Sequence, residues 1–386
     1  MDVSAPAWRD PKRRAWLASV VAPAVSALGT GAISLGATHP AWYLAPLAIF
    51  YLVVPALDTW LGEDASNPPE EAVPALEADP WYRAVLYATL PVLWAVVAFN
   101  AVHLATVPMP AWAWLATVLA TGAVLGFGLN LSHELGHKRA PLPRAIALVN
   151  ASLGAYGHFP VEHNRGHHRH VSTPEDPASA RLGEGIWRFA AREMPGAFVR
   201  AWRLESDRLR RTGRGPWHPS NEVLQGAALT ACLYGAAVAT YGAPMVPVIV
   251  AVAFWGAFQL TSANYVEHYG LLRRRLADGR REPCGPEHSW NSNHRVSNLL
   301  VFHLQRHSDH HAHPGRGYQS LRDRTGVPRL PSGYFAMFLI AYLPPLWFRV
   351  MDPRVAAAVG HRADRINFDP RRRDALVRRL GLADPA

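Results

Sequence analysis

The chain has 386 residues, enough for two or three soluble domains by length alone, so size excludes only a peptide or a small stapled module. Two cysteines, Cys232 and Cys284, exclude a disulfide framework, and no CxxC pair exists for zinc or a redox dithiol. A net charge of +10, from 39 basic residues against 29 acidic ones, points to an anionic membrane surface or an acidic partner. Nucleic acid is not expected as a partner, because the basic residues border the apolar tracts.

The mean hydropathy of −0.02 hides a segregation of charge. Between Trp16 and Lys138 the only basic residue is Arg83, and between Arg214 and Arg273 there is none. About twenty apolar residues in helical form cross a bilayer core. Four such stretches come first: Ala15 to Thr38, Ala41 to Leu61, Ala84 to Val107 and Ala111 to Leu131. Two more run from Val223 to Tyr241 and from Pro244 to Tyr265. The first follows an Arg-rich start but is long for a secretory signal and is read as retained.

The spans pair as hairpins through short uncharged turns at 36–41, 107–111 and 241–244, and the Lys and Arg residues fall on the opposite side. The positive-inside rule then predicts that the N-terminus, 62–82, 132–222 and everything after 266 are cytoplasmic. The expected fold class is an all-α membrane protein, six transmembrane helices with a cytoplasmic histidine-rich helical domain. Its expected divisions are 1–131, an N-terminal arm and four spans; 132–222, cytoplasmic; 223–265, two spans; and 266–386, cytoplasmic with a basic tail. The tract Ser332 to Val350, broken by Pro344-Pro345, reads as interfacial or re-entrant. Residues 371–380 read either as an amphipathic basic helix at the headgroups or as a solvated charged face.

Of 19 histidines, seven lie between 133 and 170 and eight between 268 and 313. Asn130-Leu-Ser-His-Glu-Leu-Gly-His-Lys138 continues the fourth span and sets His133 and His137 at i and i+4, one face of a helix. Alone, this HExxH suits a zinc protease with Glu134 as general base. Glu162-His-Asn-Arg-Gly-His-His-Arg-His170 sets His163 and His167 one turn apart with His168 adjacent. His307, His310 and His311 follow at i, i+3 and i+4, and His268 ends the sixth span. A catalytic zinc takes three protein ligands, so nine imidazoles suit two metals. Imidazole-rich ligation beside apolar spans favours redox chemistry at iron on an apolar substrate. Glu134, Glu162, Glu267 and Asp309 each adjoin a ligand histidine, and neighbours on a helix diverge. They are therefore expected to orient histidines of other boxes by accepting ring N–H groups. His39 and His103 read as structural; His158, His170, His288, His294, His303 and His313 lie near the boxes but outside the turn-spaced sets. A histidine-rich metal transporter would want ionisable residues within the spans, which are almost empty of them.

Residues 133–138, 162–169, 264–271 and 304–314, with Thr173–Arg181 and Ser289–His294, resemble the integral-membrane alkane 1-monooxygenase (alkane hydroxylase) family of the histidine-box class, over roughly Leu57 to Asp352. The resemblance implies a non-haem diiron enzyme with two iron ions and O2 as cosubstrate. It would hydroxylate the terminal methyl of a medium-chain n-alkane drawn from the lipid bilayer to a primary alcohol. Electrons would come from NAD(P)H through a reductase and a separate rubredoxin, since no four-cysteine rubredoxin unit is present. The family's metal ligands carry over onto His133, His137, His163, His167, His168, His268, His307, His310 and His311. The implied location is the bacterial cytoplasmic (inner) membrane, multi-pass, with the site on the cytoplasmic side. Phe50, Phe127 and Leu129 are candidates to line a substrate channel. The alternative is a histidine-box fatty-acyl desaturase or hydroxylase, which would make olefins or internal oxidation products.

Overall fold

The apolar tracts set the architecture. In the computed structural model, which describes residues 8–383, six helices are long and apolar enough to cross a membrane. They are α1 (Leu17–Ser34), α2 (Pro40–Leu61), α3 (Pro80–Thr106), α4 (Ala111–Gly136), α7 (Glu222–Tyr241) and α8 (Met245–His268). Between them lie α5 (Pro141–Leu153) and α6 (Ile186–Arg211). After them come α9 (His307–Ala312), α10 (Tyr334–Ala341), α11 (Pro344–Ala358) and α12 (Arg373–Leu380). Among the described residues only isolated bridges occur, such as Leu271 with Ile366, and no strand. Residues 1–7 of the expected arm and 384–386 of the expected tail lie outside the described residues.

Local chemistry explains where the helices depart from the expected limits. Helix α3 starts at Pro80 rather than Ala84 because the Asp79 side chain accepts the Trp81 amide (2.9 Å) and Pro80 occupies the first turn, where no N–H is needed. Helix α1 stops short of Thr38, and Gly36 then turns the chain at a φ of +102°. Helices α4 and α8 run past the divisions expected at 131 and 265, to Gly136 and His268. Each thus delivers histidine from a rigid element.

Helices α4 and α8 form the buried centre, whereas α7 is mostly exposed on the flank. A Cβ on Gly122 would sit 2.7 Å from Trp255, and one on Gly126 would meet Gln259. Both pairs advance together, so α4 and α8 run parallel in close contact, as small residues permit between membrane helices. Their C-terminal ends therefore share one end of the bundle. The Ser332–Val350 tract is broken as expected: α10 and α11 meet at 118°. The apolar face of α12 does not face lipid. Leu376 is buried and packs with Val377 and Leu380 on the core shared by α8 and α11.

Candidate metal centre

Nine imidazoles converge at the shared end of α4 and α8, in two adjoining groups. His133, His137, His163, His168 and His310 form one; His167, His268, His307 and His311 form the other. In the first, Nε2 faces Nε2 between His133 and His310 (2.8 Å), His137 and His163 (3.2 Å), His163 and His168 (3.0 Å), and His168 and His310 (3.2 Å). In the second the same atoms meet between His268 and His307 (3.2 Å) and between His307 and His311 (2.9 Å).

These distances test whether a metal fits. Ligands at right angles, about 2.1 Å from one ion, stand about 3.0 Å apart. A neutral imidazole carries one N–H, so several mutually facing Nε2 atoms cannot all be satisfied by pairwise hydrogen bonds. Converging lone pairs are satisfied by a cation. His167 makes the same point singly: Asp176 Oδ2 accepts a hydrogen bond from its Nδ1–H at 3.0 Å, while its Nε2 is buried with no hydrogen-bond partner. The donor set fits two metal ions of the imidazole-preferring class.

Electrostatics keeps most of these rings neutral. Burial, reinforced by the neighbouring imidazoles, pushes His137, His163, His168, His307, His310 and His311 well below the ordinary imidazole value. His167 differs. Burial opposes its charge as well, but the Asp176 carboxylate outweighs burial and makes this ring more basic. Asp176 is itself held well below the usual carboxylate range; burial opposes its ionisation, and His167 and Arg200 override that. Arg200 bonds both Asp176 (2.6 Å) and Glu162.

The second box departs from plain helical spacing. Residues His163–His167 form a π-turn, which closes i to i+5. His163 is therefore paired with His168, and His167 is swung into the other group, rather than sharing a face with His163. On α9 ordinary spacing does the same division: His307 and His311 enter one group and His310 the other.

Three of the four expected orienting carboxylates are held by cations instead. Glu134 pairs with Lys138 one turn on (2.8 Å), Glu162 with Arg200, and Asp309 with Arg316 (2.9 Å) and Arg324 (2.6 Å). Long basic side chains within reach outcompete distant rings. Only Glu267 meets a box histidine, His307 Nε2, at 3.3 Å, and it also accepts from the Tyr334 hydroxyl (2.8 Å). The carboxylate that accepts the ring N–H of a box histidine is Asp176, which adjoins no box but lies in the Thr173–Arg181 segment. His103 bonds the Tyr43 hydroxyl (2.8 Å), as a structural histidine should. His158, His170, His288, His294, His303 and His313 stand outside both groups.

Between the spans lies an apolar cavity of about 80 Å³, walled by Phe50, Val124, Phe127, Leu300, Phe335 and Phe338 among others. Phe50 stacks on Phe335 (6.0 Å) and Phe127 on Phe302 (5.8 Å). Leu129 is not on this wall. It faces the opposite side of α4, fully buried against Ala151, Tyr156 and Phe159. Asn130, Leu260, Ala263 and Leu304 line both this cavity and a smaller one bordered by His133, His163 and His307. On the outer side, His137 reaches a cleft lined by Lys138, Arg139, Arg144 and Arg165.

Comparison with known proteins agrees with this geometry. The fatty acid desaturase family matches residues 108–339. Alkane 1-monooxygenase 1 of Alcanivorax borkumensis is 48% identical, covering 97% of this chain and 92% of the relative. The alkane 1-monooxygenase of Ectopseudomonas oleovorans is 46% identical, covering 98% and 94%. The chain belongs to the alkane 1-monooxygenase family. A more distant relative, the xylene/toluene monooxygenase hydroxylase component of Pseudomonas putida, is 31% identical over 58% of this chain and 59% of its own length. As a member of the alkane 1-monooxygenase family, this chain is a multi-pass membrane oxidoreductase whose histidine clusters can hold metal.

Proposed function

We propose that this chain is an alkane 1-monooxygenase that uses O2 and two electrons to convert the terminal methyl of a medium-chain n-alkane to a primary alcohol, with water as the second product. Two non-haem irons, one in each histidine group, would supply the O2-dependent redox chemistry when bound. His133, His137, His163, His168 and His310 would hold one, and His167, His268, His307 and His311 the other. The chain's own residues do the rest.

The observation that carries this reading is the wall common to the apolar cavity and the histidines. Substrate enters the cavity from lipid, where Phe50, Phe335 and Phe338 exclude water and hold the chain. Asn130, Leu260, Ala263 and Leu304 form the wall shared with the small cavity at His133, His163 and His307, and the substrate's end would pass between them. Such a passage favours an end-on methyl over an internal methylene, which separates terminal hydroxylation from desaturation.

A separate rubredoxin, reduced from NAD(P)H by its reductase, would supply electrons. The cleft beside His137, where Lys138, Arg139, Arg144, Arg165 and Arg208 outnumber the single acid Glu222, supports an acidic donor docking there. The same basic residues at the histidine end support a cytoplasmic site in the inner membrane. Purified protein given octane, rubredoxin, reductase and NADH should form 1-octanol, more slowly as salt is raised. Octene or internal octanols would favour the desaturase-like alternative.

A further inference from the structure

One buried acid has no part in the site above. Glu193, on α6, is 2% exposed, and among the described residues no cationic side chain pairs with it. Its Oε2 accepts from Thr261 Oγ1 at 2.7 Å and its Oε1 from Asn264 Nδ2 at 3.2 Å, both on α8. A buried carboxylate without a counter-charge is costly, so the neutral acid is favoured. Burial, opposed only by these two donors and reinforced by Glu162 and Asp176, raises Glu193 to about 7. Glu162 and Asp176 are both tied to Arg200.

The position of this acid gives it a use. Asn264 borders the small cavity reached by His163, Glu267 and His307. Behind Glu193, Tyr156 lies by Thr261 with its hydroxyl in no well-formed hydrogen bond, and the His158 ring packs on Tyr156 at 4.3 Å. The Nε2 of His158 is buried and also unpartnered, and its ring meets the half-exposed Phe198. Ionisable groups thus extend from His158, beside the half-exposed Phe198, to Glu193, one hydrogen bond from the Asn264 that borders the cavity.

Monooxygenation of an alkane, RH + O2 + 2e⁻ + 2H⁺ → ROH + H2O, breaks the O–O bond and one C–H bond and forms one C–O bond, the O–H bond of the alcohol and the two O–H bonds of water. The electrons come from the electron-carrier protein, and two protons must reach the oxygen that leaves as water. We propose that Glu193 supplies protons to this reaction across the cavity that Asn264 borders, and is recharged from the Tyr156 and His158 side. The proposal rests on the monooxygenase reading. Glu193 touches no reacting atom; it would act through a water admitted to that cavity.

Glu193→Gln and Glu193→Asp test it. The Gln variant is expected to keep its metal content and to make roughly tenfold less alcohol per O2 consumed, with hydrogen peroxide accounting for the difference. The Asp variant should recover part of the coupling. In the infrared, unmodified protein minus the Gln variant should show a protonated carboxyl band that titrates at about 7. Full coupling in Glu193→Gln at every pH, loss of metal along with activity, or no such band would overturn the proposal. If the Gln variant does not accumulate, the unmodified enzyme decides: peroxide yield should rise as the pH passes upward through neutrality, and a flat yield overturns the idea. Failure of the unmodified enzyme to make any alcohol would count against the monooxygenase reading instead.

Discussion

His163 and His168 face one another, Nε2 to Nε2 at 3.0 Å, although five positions separate them in the sequence. The π-turn between them makes this possible and sends His167 into the other group. Two adjacent residues therefore stand in different histidine groups, and in the proposed diiron site they would serve different metals. His167→Ala and His168→Ala should each perturb one of two iron components in the Mössbauer spectrum, and a different one in each variant. The same component changing in both would contradict this division.

Asp176 fixes His167 through Nδ1 and is fixed in turn by Arg200. Asp176→Asn keeps the size but removes the charge that makes His167 basic. Partners of ligand histidines typically contribute 10- to 100-fold to metal affinity or activity, and a loss of about that size is expected here. Competition with a chelator, following metal retention in the variant, checks it; retention equal to the parent would assign Asp176 a purely structural role.

Acid should destabilise the metal-free fold. Six imidazoles outside the spans are held well below their ordinary value of 6.5 by burial and by each other. The unfolded chain binds protons at that ordinary value, so stability is fully present above about 6.5 and falls as the pH drops below it. His167 has the opposite sign, since its value is raised, but it is one ring against six. The melting temperature of metal-free protein should fall steadily from pH 7 toward pH 5. A flat profile would mean that the rings are not neutral in the fold.

Phe50 on α2 stacks against Phe335 on α10, at 6.0 Å, in the wall of the apolar cavity. Phe50→Ala should lengthen the space open to substrate and shift the product distribution toward alcohols from longer alkanes. Competition among a mixture of alkane lengths, read by gas chromatography, measures the shift. Leu129→Ala is the contrast: it should cost about 2–5 kcal/mol of stability, as a buried leucine does, without moving the length preference.

Much of this architecture is legible in the sequence because charge exclusion over twenty residues and one-turn histidine spacing are strong local signals. They locate the six helices and the nine imidazoles. They do not give the partition of the imidazoles, because a π-turn leaves no mark in a spacing read as α-helical. The orienting carboxylates were also hidden. Glu134, Glu162 and Asp309 adjoin ligands in the sequence, but Lys138, Arg200, Arg316 and Arg324 claim them in space, and Asp176 reaches His167 from nine residues away. Leu129 shows the same limit on α4, where apolar residues on every face give no signal of which side meets the cavity.

Metal content and product identity, measured on one purified preparation, decide between a diiron oxygenase and its rivals. Two irons per chain and 1-octanol from octane are expected, with O2 and rubredoxin both required. A single zinc per chain, or octane left unoxidised by iron-loaded protein supplied with reduced rubredoxin, would contradict the diiron oxygenase.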